Sequence, residues 1–157
     1  MSENTSTGLG RELAALYLRE LDRAAALIEA YDDEDELWTR RGEQKNSPGA
    51  LALHMAGNLL HYVGAQMGGT GYVRDRDAEF SERTTKEEAL RRLAETRDVV
   101  GPVIGGLSDE ELAQEFPGDL PPVLEGMSTR SFLVHLLWHL GWHQGHVYYH
   151  KLAGPSQ

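Results

Sequence analysis

The chain has 157 residues, a length that suits one domain of ordinary size with a well-filled core. Fifteen Lys and Arg against 25 Asp and Glu give a formal net charge of −10. That balance argues against nucleic acid and against an anionic membrane surface as partners, because both are held by basic side chains. Hydrophobic residues at 40% and charged residues at 25% are close to globular averages, so wholesale disorder is excluded.

The opening segment MSENTSTGLGRE has neither the basic start nor the apolar core of a signal peptide, and no run of ~18 apolar residues offers a membrane span. Cysteine is absent, which rules out disulfides, cysteine–zinc sites and a protein thiol nucleophile. The expectation is a cytoplasmic protein.

In chain order the pattern is helical nearly throughout. From Leu9 to Tyr31, apolar residues recur at Leu13, Leu16, Tyr17, Leu21, Ala24, Leu27 and Ile28, the spacing of one helix face. The acidic run Asp32–Glu36 ends this helix and lacks calcium-loop spacing, so it reads as a solvated turn. Ser47-Pro48 reads as N-cap and first residue of a helix to about Met67, stopped by the glycine-rich stretch from Gly68 to Gly71. A charged connection, Tyr72 to Arg83, follows.

Thr85 and Glu88 form a capping box for a third helix to about Ile104, and Ser108 and Glu111 form another for a short turn. Pro117 to Gly126 is a loop, and a last helix runs from near Ser128 to about Leu152. Four long helices with no alternating strand signal predict an all-α four-helix bundle. The whole chain, 1–157, reads as one such domain, with 1–8 and 154–157 as frayed tails.

The histidines carry the functional signal. Of seven, His54 and His61 lie on the second helix, and His135, His139, His143, His146 and His150 on the last. At about 100° per residue the last five occupy one arc of about 80°, beside the apolar arc of Leu133, Leu136 and Leu140. Asn58 and His61 fall within about 40° of His54 on their own helix. Two histidines four apart can hold one divalent ion, and a third from a facing helix completes a three-ligand site with an open position. His139 and His143 supply the pair, and His54 is the natural third. Spacing alone leaves a polar seam or dimer surface as the alternative.

Three motifs then stand in order: His54-Met55-Ala56-Gly57-Asn58-Leu59, the run Arg74-Asp75-Arg76-Asp77-Ala78-Glu79-Phe80, and His135, His139, His143, Gln144, Gly145, His146. Together they resemble the DinB/YfiT-like superfamily, in particular its branch with an H-x-A-G-N-L helix and an R-x-R-D-x-E-F connection. The resemblance implies a four-helix bundle, often a homodimer, with a divalent metal, commonly zinc or nickel, on His54, His139 and His143. The family's usual ending after the final ligand is Arg-Gly-Gln, whereas Gln144-Gly145-His146 stands here, which opens His146 as a replacement ligand beside the secondary candidates His135 and His61. Characterised relatives include thiol-dependent S-transferases using a small-molecule thiol, and others described as metal-dependent hydrolases.

The expected protein is therefore a cytoplasmic metal-dependent transferase or hydrolase acting on a small molecule, with a low-molecular-weight thiol as a cosubstrate. A non-catalytic metal-binding or stress-response bundle and a structural dimer are its rivals. The R-x-R-D-x-E-F run reads first as a salt-bridged loop that fixes the connection onto the bundle. In the sharper reading Arg74 or Arg76 meets an anionic substrate, with Asp77 or Glu79 as base or acceptor behind the ligands. Asn58 either packs or hydrogen-bonds a ligand or substrate. Trp38, Trp138 and Trp142 read as packing residues. Gly57, Gly141 and Gly145, each costing about 1 kcal/mol inside a helix, call for close helix approach or room for a ligand.

Overall fold

A computed structural model of the protein describes residues 8–155. The expected frayed tails at 1–7 and 156–157 lie outside the described residues. Gly8, expected in the frayed N-terminal tail, is half-buried and caps the first helix, and Gly154 caps the last.

Helix α1 spans Leu9–Glu29 and buries Leu13, Tyr17, Leu21, Ala24 and Ile28 at three- and four-residue steps, as its sequence pattern requires. The acidic run is not merely a solvated turn. It contains a one-turn helix, α2 (Glu34–Leu37), because the Asp33 carboxylate accepts the Asp35 N–H at 2.9 Å and Leu37 is fully buried. Glu34, Asp35 and Glu36 then reach Lys86, Arg83 and Arg41, so the run fastens neighbouring segments.

Helix α3 (Pro48–Leu59) starts on the expected Ser47 cap, whose hydroxyl accepts the Ala50 N–H at 3.2 Å. From Leu60 to Met67 the same helix widens into a π-helical segment, where the Gly68 N–H reaches back five residues to the Val63 carbonyl at 2.9 Å. It stops at Gly69, whose φ of +63° is open to glycine. The charged connection is not all loop: Asp75 accepts the Ala78 N–H at 3.0 Å and opens α4 (Arg76–Ser81).

Helix α5 (Lys86–Gly105) is capped by Thr85, but the Glu88 carboxylate turns to Arg91 and Arg92 instead of closing the predicted box. The box of Ser108 and Glu111 forms completely at α6 (Asp109–Ala113). The predicted loop holds one 3-10 turn, Pro122–Leu124, before Ser128 caps α7 (Thr129–Ala153).

The four long helices close a ring. α1 packs along α5, α5 against α3, α3 against α7, and α7 back onto α1, with α5 and α7 on opposite corners. Tyr17, Leu21, Ile28, Met55, Leu59, Leu93, Ile104 and Phe132 fill the centre. Each such side chain contributes about 1.5–3 kcal/mol through burial. The Tyr17 hydroxyl of α1 donates to the Leu133 carbonyl of α7. Buried Gln144 donates its amide N–H to the Glu20 carbonyl at 3.0 Å. α7 is thus held in register against α1, and its His139 and His143 face α3.

Candidate metal centre

Where α3 and α7 meet, His54, His139 and His143 bring one nitrogen each to within 4.8 Å of one another. The Nε2 atoms of His54 and His139 are 3.3 Å apart, and those of His139 and His143 are 3.0 Å apart. Metal–nitrogen bonds of 2.0–2.1 Å at a tetrahedral angle put ligand nitrogens ~3.3 Å apart, so these separations fit a single small cation. The one-turn step from His139 to His143 sets one separation, and helix packing sets the other.

A hydrogen bond orients one ring, and burial keeps the other two neutral. His54 is 5% exposed and its Nδ1–H donates to the Glu79 carboxylate at 2.9 Å, leaving the Nε2 lone pair to face the other rings. Burial, with the neighbouring imidazoles and arginines disfavouring further positive charge, pushes His139 down to about 4; burial and the adjacent His139 and His54 push His143 down to about 3. Both are neutral at physiological pH. Neutral His139 and His143 gather their Nε2 atoms beside that of His54, and a divalent cation would take a lone pair from each ring at once. The donor set therefore fits such an ion.

Glu79 is the pivot behind His54. Burial pushes its carboxyl up, but hydrogen bonds from Arg74 and His54 outweigh this and hold it below the usual carboxylate range. Arg74 grips it with two bonds, Nε to Oε2 at 2.7 Å and Nη2 to Oε1 at 2.8 Å. Gly57 makes room for it, since a Cβ there would stand 2.7 Å from the Glu79 Cδ. The H-x-A-G-N-L helix and the R-x-R-D-x-E-F segment are thus two halves of one support. Phe80 of that segment lies against the His54 ring at 4.7 Å between centroids, and Arg76 stacks over Phe80 at 5.4 Å.

Two cavities reach the cluster. One, of about 210 Å³, is bounded by His54, His139, Asn58, Tyr62, Arg76 and His135 among others. The other, of about 430 Å³, is bounded by His143, His146, Leu51 and the segment from Glu43 to Asn46.

Several residues that the sequence marks as candidates fall elsewhere, and the geometry corrects their roles. Of the two roles the sequence allows Glu79, the geometry shows the acceptor behind His54, committed also to Arg74, and not the free base. Arg74 spends its Nε and Nη2 on Glu79, so its charge is already paired, although it borders the smaller cavity. Asp77 is exposed at the start of α4 and borders neither cavity. His61 is carried off the His54 face by the π-helical widening and binds the Gln66 side chain at 2.9 Å, while Tyr62 takes the place beside the cluster. His146 borders the larger cavity and His135 the smaller, but neither is among the three converging rings.

His150 belongs to a separate network: its Nε2–H donates to the Thr39 carbonyl at 2.7 Å and its Nδ1 accepts from Tyr31 at 2.8 Å. Trp138 and Trp142, expected to pack, are 57% and 56% exposed; Trp38 does pack, over Gly49. No Cβ contact would arise at Gly141 or Gly145, so close approach does not explain them within this chain. Tyr62, Phe80 and the Glu43–Asn46 wall also belong to the site, although sequence reasoning does not single them out. Only Phe80 carries a signal, as part of its motif.

An all-α bundle that aims three imidazoles from two facing helices into one point defines a class of helical proteins with a candidate metal site at the helix seam. Residues 16–147 match the DinB superfamily, and the chain belongs to that superfamily. No curated protein matches the chain closely enough to lend it an activity.

Proposed function

We propose that the protein is a metal-dependent enzyme that transfers a group between two small molecules, with one zinc or nickel ion held by His54, His139 and His143. The observation that carries this reading is the convergence of three ring nitrogens within 4.8 Å, with the Nε2 of His139 at 3.3 Å from that of His54 and 3.0 Å from that of His143, between two separate cavities. A bound divalent ion supplies Lewis acidity, lowering the proton affinity of a thiol or water and polarising an electrophile. Two cavities favour a thiol cosubstrate on one side and an electrophile on the other; hydrolysis needs only one.

The chain's own groups do the rest. Glu79 and Arg74 orient His54, burial keeps His139 and His143 neutral, and Phe80 walls the His54 ring from solvent. His146 lies beside His143 at the larger cavity, within reach of a molecule bound there. Among the described residues no fourth histidine or carboxylate joins the cluster, which supports an open position over a structural site. The cysteine-free chain suits a cytoplasmic setting with an exogenous thiol, and among the described residues no helix is long and apolar enough to cross a membrane.

We also propose a homodimer. Val134, Trp138, Trp142 and Tyr149 form an exposed stripe on α7 away from the core, with the two indoles 5.9 Å apart. Aromatic side chains in such a stripe are typical anchors of protein interfaces.

The test is elemental analysis of untagged protein prepared without chelator, alongside His143→Ala. About one divalent ion per chain, lost in the variant, is the expected result. Failure of the native protein to take up zinc or nickel overturns the reading.

A further inference from the structure

The smaller cavity carries an unused pair of recognition groups. Asn58 is 8% exposed and borders the cavity one turn beyond His54, yet its amide makes no hydrogen bond to any described residue and its Oδ1 is buried without a partner. A buried amide left without a partner carries a desolvation penalty that an occupant hydrogen-bonded to it would offset. Arg74 and Arg76 both border this space; Arg74 is paired with Glu79, whereas Arg76 forms no ion pair with a described residue. Its guanidinium instead lies over the Phe80 ring, 5.4 Å from the centroid, a cation–π contact that leaves its N–H groups unpaired.

We infer that this cavity is a recognition site for a small carboxylate that also bears a hydroxyl, the carboxylate on Arg76 and the hydroxyl on Asn58. One free guanidinium balances the single charge of a carboxylate and matches its two oxygens. A hydroxyl both donates and accepts, so it satisfies either end of the amide. At about 210 Å³ the space is below the range of drug-sized pockets, which limits the occupant to a small metabolite. His54 and His139 border the same space, so the occupant lies against the candidate metal centre. The inference rests on the proposed function for its meaning, since it names the class of molecule held for reaction.

The test titrates three probes, 4-hydroxybutyrate, butyrate and 4-hydroxybutyramide, into isotope-labelled protein, both metal-free and zinc-loaded, following backbone amide shifts. The expected result is shifts at Asn58, Tyr62 and His135, with 4-hydroxybutyrate bound several-fold tighter than butyrate and at least ten-fold tighter than the neutral amide. Arg76→Gln removes the preference for the charged probes, and Asn58→Leu removes the advantage of the hydroxyl. Equal binding of charged and neutral probes overturns the inference, as does unchanged carboxylate affinity in Arg76→Gln or the absence of shifts in this cavity. Binding that requires zinc and ignores Arg76 also overturns it. Arg76-dependent binding in a protein that takes up no zinc supports the carboxylate site and sinks the metal-dependent reading, so the two failures are distinguishable.

Discussion

Glu79 shows how a single buried side chain organises the centre. Its charge is stabilised by Arg74 and it orients His54, so losing the charge weakens both contacts. Glu79→Gln is expected to lower zinc affinity about 10–100-fold, read by competition with a chromophoric chelator, because groups behind the ligands set ligand basicity and ring orientation. A variant with unchanged affinity would show that His54 needs no such support. His150 makes a separate prediction about pH. Burial, the largest influence, together with nearby Arg41, lowers its pKa below the usual 6.5, despite the opposing effect of its bond to Thr39. In metal-free protein the unfolded chain therefore takes up a proton at a higher pH than the folded one, and stability falls as pH drops below about 6.5. His150→Gln is expected to flatten this fall between about pH 7 and pH 5 in urea melts. It leaves a residual slope, because His139 and His143 are depressed in the same sense.

Helix geometry explains which neighbours in sequence become neighbours at the site. A straight α-helix would return His61 to the face of His54, but the π-helical stretch from Leu60 takes more residues per turn and presents Tyr62 instead. The glycines divide in the same way. Gly57→Ala would drive its methyl into the Glu79 carboxylate and is expected to weaken zinc binding and lower the melting temperature. Gly141→Ala and Gly145→Ala meet nothing within 4 Å and are expected to stabilise α7 by roughly 0.5–1 kcal/mol each in the monomer. Denaturant midpoints of the three variants check the contrast. Destabilisation by Gly141→Ala would mean that another chain approaches α7 there.

For the whole molecule, a metal ion would fasten α3 to α7, and through Glu79 also to α4. An ion that binds only the folded state stabilises it by about 2.7 kcal/mol at a hundred-fold excess over Kd. Zinc is therefore expected to raise the melting temperature of the native protein by several degrees and to leave His143→Ala unchanged; an equal shift in both would place zinc elsewhere. The exposed indoles lead to an assembly prediction. Trp142→Glu is expected to convert a dimer to a monomer in sedimentation at micromolar concentration, and a native chain that sediments as a monomer would refute the dimer.

The bundle, its long helices and most of its caps are legible in the sequence because they depend on local physics: helical periodicity sorts apolar from polar residues, and Ser47, Thr85, Ser108 and Ser128 act on N–H groups within the next turn. The convergence of His139 and His143 is legible for the same reason, since four residues make about one helical turn. The choice of His54 over His61, the engagement of Arg74 that leaves Arg76 free, and the diversion of His150 to Tyr31 and Thr39 are decided by tertiary structure. Each depends on how far one segment lies from another remote in sequence, and on a widened helical turn that no residue between Leu60 and Met67 announces. The outward stance of Trp138 and Trp142 is of the same kind, because an apolar side chain specifies that it gains by burial but not which surface will bury it.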